Sequence, residues 1–231
     1  MQNYDELILR TQRVDPAAPF PAAHQAVRIA LYDEYAARSF YARVIEAFGE
    51  RPPFTNILRS EEQHVAALLG LCERFGIPRP LDPFARETTV EPTWLANCQR
   101  AVVGEIANVQ LYAYLLTQVA EPEVRRVFQN LQAAALQNHL PAFRQAAVAA
   151  QAQETYHAAH GIPSQQAYVR HGPLSDFLES AFSQLGPYVG PLGVISPLLR
   201  QAHPAMLAGM VAGGAGVYLL KGRIGRHHKE N

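Results

Sequence analysis

The sequence predicts an all-α protein, an antiparallel four-helix bundle with one long crossover between its second and third helices. A hydrophobic, glycine-rich helix near the C-terminus follows the bundle. Three observations predict it. Four long stretches carry apolar residues three to four apart, so each presents one face fit for a core. Gly49 and Gly76 stand where two of these patterns stop, and prolines 52, 53 and 122 stand where the next begin. No stretch of useful length alternates apolar and polar residues as a half-buried strand would.

Of 231 residues, 48% are hydrophobic and 17% are charged, against a usual charged share of about 25%. Such a chain can bury a core and does not have the composition of a disordered one. Twenty Lys and Arg balance twenty Asp and Glu, so no global charge draws the protein to nucleic acid. Cys72 and Cys98 sit within apolar patterns at no metal-type spacing and read as core residues of a reducing compartment. The first residues lack the apolar run of a secretory signal, so the expectation is a cytoplasmic bundle that is not secreted.

Residues 1–21 form an N-terminal segment: a short helix over 2–13, then three prolines between Asp15 and Pro21 that read as a linker. The bundle is expected over 22–152. Its first helix, 22–48, has the stripe Val27, Ala30, Ala37, Tyr41, Val44 and Phe48, and Glu34 falls inside it. The second runs from the two prolines to Gly76, with Ile57, Leu68, Leu71 and Phe75 on one face and Glu61-x-x-His64 in the middle of it. A proline-rich crossover over 77–92 is long enough to run the length of a bundle. The third helix, 93–119, has Glu105 inside its stripe. The fourth starts near Pro122 and carries Phe128, Ala135, Leu136, His139 and Phe143 on one face, with a kink expected at Pro141.

Charged side chains are rarely buried unless they are paired or bind a metal. One stray acid on an apolar face is unremarkable. Here Glu34, Glu61, His64, Glu105 and His139 each fall mid-helix on such a face, spread over all four helices. Carboxylates with imidazoles suit divalent iron, manganese or zinc, so the pattern points to one or two such ions per chain. The competing reading is a metal-free structural or interaction bundle with a degenerate site.

The stretches "NILRSEEQH", "LLGLCERFGIP" and "NLQAAALQNHLPAF" resemble a bacterial ferritin-like family of unknown function, over residues about 24–150. The order of Glu34, Glu61-x-x-His64, Glu105 and His139 is likewise similar to the di-iron carboxylate pattern of ferritin-like bundles. The resemblance implies a ferritin-like fold with an iron site, possible Fe(II) oxidation, and those five residues as ligands. Three departures stand against an intact two-metal centre. Leu136, three before His139, replaces the second Glu of the pattern; Asn108 stands where an acid often follows the third-helix Glu; and Pro141 follows His139-Leu140. Two divalent ions carry four positive charges and three carboxylates only three negative ones. Leu136→Glu is therefore expected to restore the missing group. Tyr112 and Gln132 are the nearest candidates for an extra ligand, and Asn108 and Tyr41 are expected to hold the histidines.

Residues 153–199 read as a linker with a short amphipathic helix. Residues 200–231 form the hydrophobic tail: Pro204 to Leu220 is apolar or small, with Gly209-x-x-x-Gly213 and Ala212-x-x-x-Gly216 on one face and basic residues from Lys221 onward. The tail is expected to attach the bundle to a membrane through 201–220, or else to serve as a glycine zipper in a homo-oligomer.

Overall fold

The computed structural model describes residues 3–159 and 161. The chain divides into two compact units, Met1–Gln151 and Ala152–Asn231. The first holds the elements below as far as Gln151. In the second, the described residues are 152–159, which belong to the last helix, and Gly161. The hydrophobic tail lies outside the described residues. Among the described residues, no helix is long and apolar enough to cross a membrane.

Every regular element among the described residues is helical. They are α1 (Glu6–Thr11), α2 (Ala22–Phe48), α3 (Phe54–Phe75), α4 (Phe84–Glu87), α5 (Trp94–Gln118), α6 (Pro122–Ala134), a π-helical turn (Ala135–His139) and α7 (Leu140–Ala159). The four long helices expected from the apolar stripes are α2, α3, α5 and α6 with its continuation. Gly76 ends α3 at φ 62°, the left-handed conformation a glycine adopts without a Cβ clash. Thr93 opens α5, its hydroxyl accepting from Ala96 N–H at 3.1 Å.

Helix α2 packs against α3 and α5, α5 against α6 and the π turn, and α3 against α6, which closes a ring of four helices. The links between α2 and α3 and between α5 and α6 are short, so each pair is antiparallel. The crossover from α3 to α5 carries α4 partway along.

The interior has two apolar layers. One is mainly aliphatic, with Val27, Ala30, Leu31, Leu68, Leu111, Leu115 and Leu131 beside the ring of Phe128. The other is aromatic: Phe54 packs edge-on against Phe40, Tyr41, Trp94 and Phe143, with ring centroids 4.9–6.3 Å apart. Segment 3–20 packs on the same unit. Leu9 is fully buried in the aliphatic layer, and the Arg28 guanidinium forms a buried fork with Asp5, at 2.5 and 2.6 Å, and donates to the Pro78 carbonyl. Cys72 and Cys98 are buried and unpaired, and burial pushes the Cys98 thiol up to about 12.

The expected kink at Pro141 takes the form of a π turn just ahead of it. Leu140 N–H bonds to the Ala135 carbonyl, five residues back. Proline has no N–H to bond the preceding turn, and the wider turn accommodates that loss. One consequence corrects the sequence reading. In a π turn the residue under His139 is four back, not three. Ala135 is 1% exposed, whereas Leu136 is 50% exposed and does not share the inner face.

Candidate metal centre

Glu34, Glu61, His64, Glu105 and His139 are all buried, and the structure brings them together between the two apolar layers. They form two groups that share one member: Glu34, Glu61 and His64, and Glu61, Glu105 and His139. Within each group the candidate ligand atoms all lie within 4.8 Å of one another. Helical spacing accounts for the first. Glu61 and His64 are three apart on α3 and so stack on one face, and α2 lays Glu34 against them.

His64 Nδ1 lies 3.1 Å from Glu61 Oε2 and 3.3 Å from Glu34 Oε2. His139 Nδ1 lies 3.2 Å from Glu61 Oε1 and 3.4 Å from Glu105 Oε1. Glu61 thus turns one oxygen to each group. The two imidazoles are stacked, with centroids 5.4 Å apart. His139 Nδ1 is buried without a properly aligned hydrogen bond. These separations are longer than most charge-assisted hydrogen bonds, about 2.7–2.9 Å. They are also compatible with a shared ion. Two ligand atoms each about 2.1 Å from one ion lie about 3.0 Å apart at a right angle and about 3.4 Å apart at the tetrahedral angle.

The outer partners follow a symmetry the sequence reading missed. Tyr112 on α5 donates to Glu34 Oε1 at 2.6 Å, and Tyr41 on α2 donates to Glu105 Oε1 at 2.6 Å. Each tyrosine stands seven residues after the Glu of its own helix, two turns on along the same face. The signal was present as Glu34-x6-Tyr41 and Glu105-x6-Tyr112. Burial and the neighbouring carboxylates raise both phenols well above their usual range, so they remain proton donors.

The expected partners are correspondingly reassigned. Tyr41 and Asn108 hold carboxylates, not histidines: Asn108 donates to Asp33 Oδ2 at 2.9 Å and to Glu34 Oε1 at 3.3 Å. Tyr112 is a donor to Glu34. Gln132 donates to the Val109 carbonyl at 3.0 Å, so its amide nitrogen is committed to the backbone of α5. The histidines are held by Ser60, which was missed. Its Oγ lies 2.9 Å from His139 Nε2 and 3.3 Å from His64 Nε2. Ser60 is one residue before Glu61 and four before His64, and that spacing was its only signal in the sequence.

Without a metal, protons balance the buried charge. Burial, then the charge of Glu61, pushes Glu34 up to about 7. Burial also opposes ionisation of Glu61, but Glu34, His139 and His64 outweigh it and hold that carboxyl below its usual range. Burial works to lower the pKa of both histidines and is outweighed by the carboxylates: Glu34 and Glu61 lift His64 to about 10, and Glu105 and Glu61 lift His139 to about 9. Asp33, half-buried beside Glu34, is pushed up to about 7 by burial and by that neighbour. Five donors of hard oxygen and imidazole nitrogen, buried in the bundle, can exchange these protons for a metal ion.

No family model and no curated protein matches the chain. Among solved structures it is similar to a hypothetical protein of Methanococcus jannaschii DSM 2661, at 17% identity and a TM-score of 0.50. The match covers 68% of this chain and 92% of that one. At that identity the similarity concerns the helical fold alone.

Proposed function

We propose that this protein is a ferritin-like metal-binding bundle that holds two divalent transition-metal ions, iron in the first instance. Glu34 and His64 would hold one ion, Glu105 and His139 would hold the other, and Glu61, common to both groups, would serve both. The observation that supports this most directly is the division of Glu61, with one oxygen 3.1 Å from His64 Nδ1 and the other 3.2 Å from His139 Nδ1. A carboxylate that serves only as a counter-ion needs no second imidazole at ligand spacing on its other oxygen.

Loaded with Fe(II) as substrate, the centre would supply one electron from each of two ions to O₂, which with two protons would leave as hydrogen peroxide. Tyr41 and Tyr112 hold the terminal carboxylates in place. The test is metal analysis of purified protein, then anaerobic Fe(II) loading and exposure to O₂. Two ions per chain and peroxide at one per two Fe(II) are expected. Protein that retains no iron, manganese, zinc or cobalt after loading and gel filtration would sink the reading. It would favour the metal-free bundle, to which the absence of a carboxylate at Ala135 already lends weight.

A further inference from the structure

A cleft of about 190 Å³ opens between α2 and α5. Its floor includes Glu61, Glu105 and Tyr41, all buried, and its rim includes Gly104, which is exposed, and Asp33, which is half-buried. It therefore runs from the surface to the candidate ligands. Small side chains keep it open: Ala36 and Ala37 line it from α2, and Ala101 and Gly104 from α5.

Gly104 carries the argument furthest. It lies inside α5, where glycine is among the poorest helix formers. No positive φ requires it there, and a Cβ at this position would meet nothing within 4 Å. Close packing therefore does not explain the residue. What the missing side chain leaves is open space beside Glu105.

Carboxylates line the cleft from rim to floor, Asp33 first and then Glu61 and Glu105. The Asp33 carboxylate lies on the way in and is held by Gln12 at 2.7 Å and by Asn108 at 2.9 Å. The Asn108 amide also donates to Glu34 Oε1 at 3.3 Å, so one side chain ties the Asp33 carboxylate at the rim to the Glu34 carboxylate of the centre. The one cationic side chain lining the cleft, Arg100, has its charge paired, although it stacks on Phe40, another residue of the lining. It donates to the Thr89 carbonyl, pairs with Glu91 at 3.2 Å and lies over the Phe40 ring at 4.3 Å.

We propose that this cleft is the port through which a divalent cation reaches the centre, with Asp33 as the first carboxylate it meets and Gly104 keeping the passage open. The proposal rests on reading the five buried residues as metal ligands, and its test separates the two. Anaerobic stopped-flow mixing of the full chain with Co(II), followed by the cobalt absorption bands, gives the loading rate; equilibrium titration gives the stoichiometry. Gly104→Ala, Gly104→Leu and Gly104→Phe should slow loading in that order, by about tenfold or more for the largest, because the ion must then wait for the cleft to open. Their stoichiometry should stay that of the parent. Ala37→Leu narrows the same cleft from α2 and should act alike, which guards against a folding defect in either helix. Asp33→Asn should slow loading about tenfold at low salt and weaken its dependence on ionic strength. Val103→Leu, on α5 outside the cleft, should change nothing. Parental rates in Gly104→Phe and Ala37→Leu, with parental stoichiometry, would overturn the port and leave the centre standing. A parent chain that binds no cobalt would overturn both.

Discussion

The two halves of the bundle do the same job unequally. In the α2–α3 half, Glu34 and Glu61-x-x-His64 supply two carboxylates and an imidazole from regular α-helix. In the α5–α6 half, Glu105 and its tyrosine repeat the spacing of Glu34 and Tyr41, but the last helix supplies only His139, on a π turn. The difference shows that a spacing rule is only as good as the period beneath it. Three residues back means the same face at about 3.6 residues per turn; in a π turn it does not. The inner position below His139 belongs to Ala135, and Leu136 faces outward. The second half therefore relies on Glu61, borrowed from the first.

That dependence sets the largest expected effect. Glu61→Gln removes the carboxylate that both groups share and, on the proposed reading, should weaken binding of both ions by about a hundredfold or more, whereas Glu34→Gln should weaken binding of one. Titration with Co(II), resolved into two steps, checks this. Equal effects of the two substitutions on one step only would mean that Glu61 does not bridge.

The next comparison sets Ala135→Glu against Leu136→Glu. Ala135→Glu places a fourth carboxylate on the inner face and brings the negative charges level with two divalent ions. It should tighten the weaker site by about tenfold. Leu136→Glu puts the same charge in solvent and should leave metal binding as it was. The opposite result would show that the last helix returns to α-helical register when metal binds.

Much of this was legible in the sequence. The apolar stripes and their glycine and proline boundaries locate α2, α3 and α5 to within a residue or so, because propensity and packing agree there. The five buried polar residues stand out for the same reason, as exceptions on faces that are otherwise apolar. The π turn was not legible, since Pro141 announces a disturbance but not which hydrogen-bond pattern absorbs it. Nor were the roles of Tyr41, Asn108 and Ser60. Which donor meets which acceptor across helices depends on the rotation of each helix about its axis, and periodicity does not fix that rotation finely enough.

Protonation offers a milder test of the halves together. His64 and His139 are lifted to about 10 and about 9, so at neutral pH both carry protons that a metal must displace. Raising the pH removes the competitor, so affinity should rise with pH and level off above the histidine values. For two ions together the gain is about a hundredfold per unit between pH 7 and 9, one factor of ten for each imidazole proton. Calorimetry in buffers of different ionisation enthalpy should count about two protons released at pH 7, plus a fraction from Glu34, which sits at about 7. An affinity flat across this range would mean that the imidazoles are not ligands.

The smallest expected effect concerns Ser60, where the two halves meet a second time. A serine hydroxyl has two acceptor lone pairs, and the two Nε2 atoms approach it from different helices, at 2.9 and 3.3 Å. If both Nε2 atoms carry hydrogen and donate to it, both Nδ1 atoms present lone pairs toward the carboxylates as soon as their own protons leave. One hydroxyl thus fixes the tautomer of both rings in the state that binds metal. Ser60→Ala removes that preference but not the rings, and because Ser60 is half-buried, water can take over part of the role. The expected loss is therefore about tenfold in affinity, the lower end of what outer partners of metal ligands contribute. Ser60→Thr keeps the hydroxyl and should restore binding. Nitrogen-15 chemical shifts of the metal-free protein above pH 10 supply the second readout: the Nε2–H form of both histidines should dominate in the parent and lose ground in Ser60→Ala. If the tautomer balance stays put while affinity falls, Ser60 acts by packing alone. If neither moves, the two imidazoles are oriented by the carboxylates without help from Ser60.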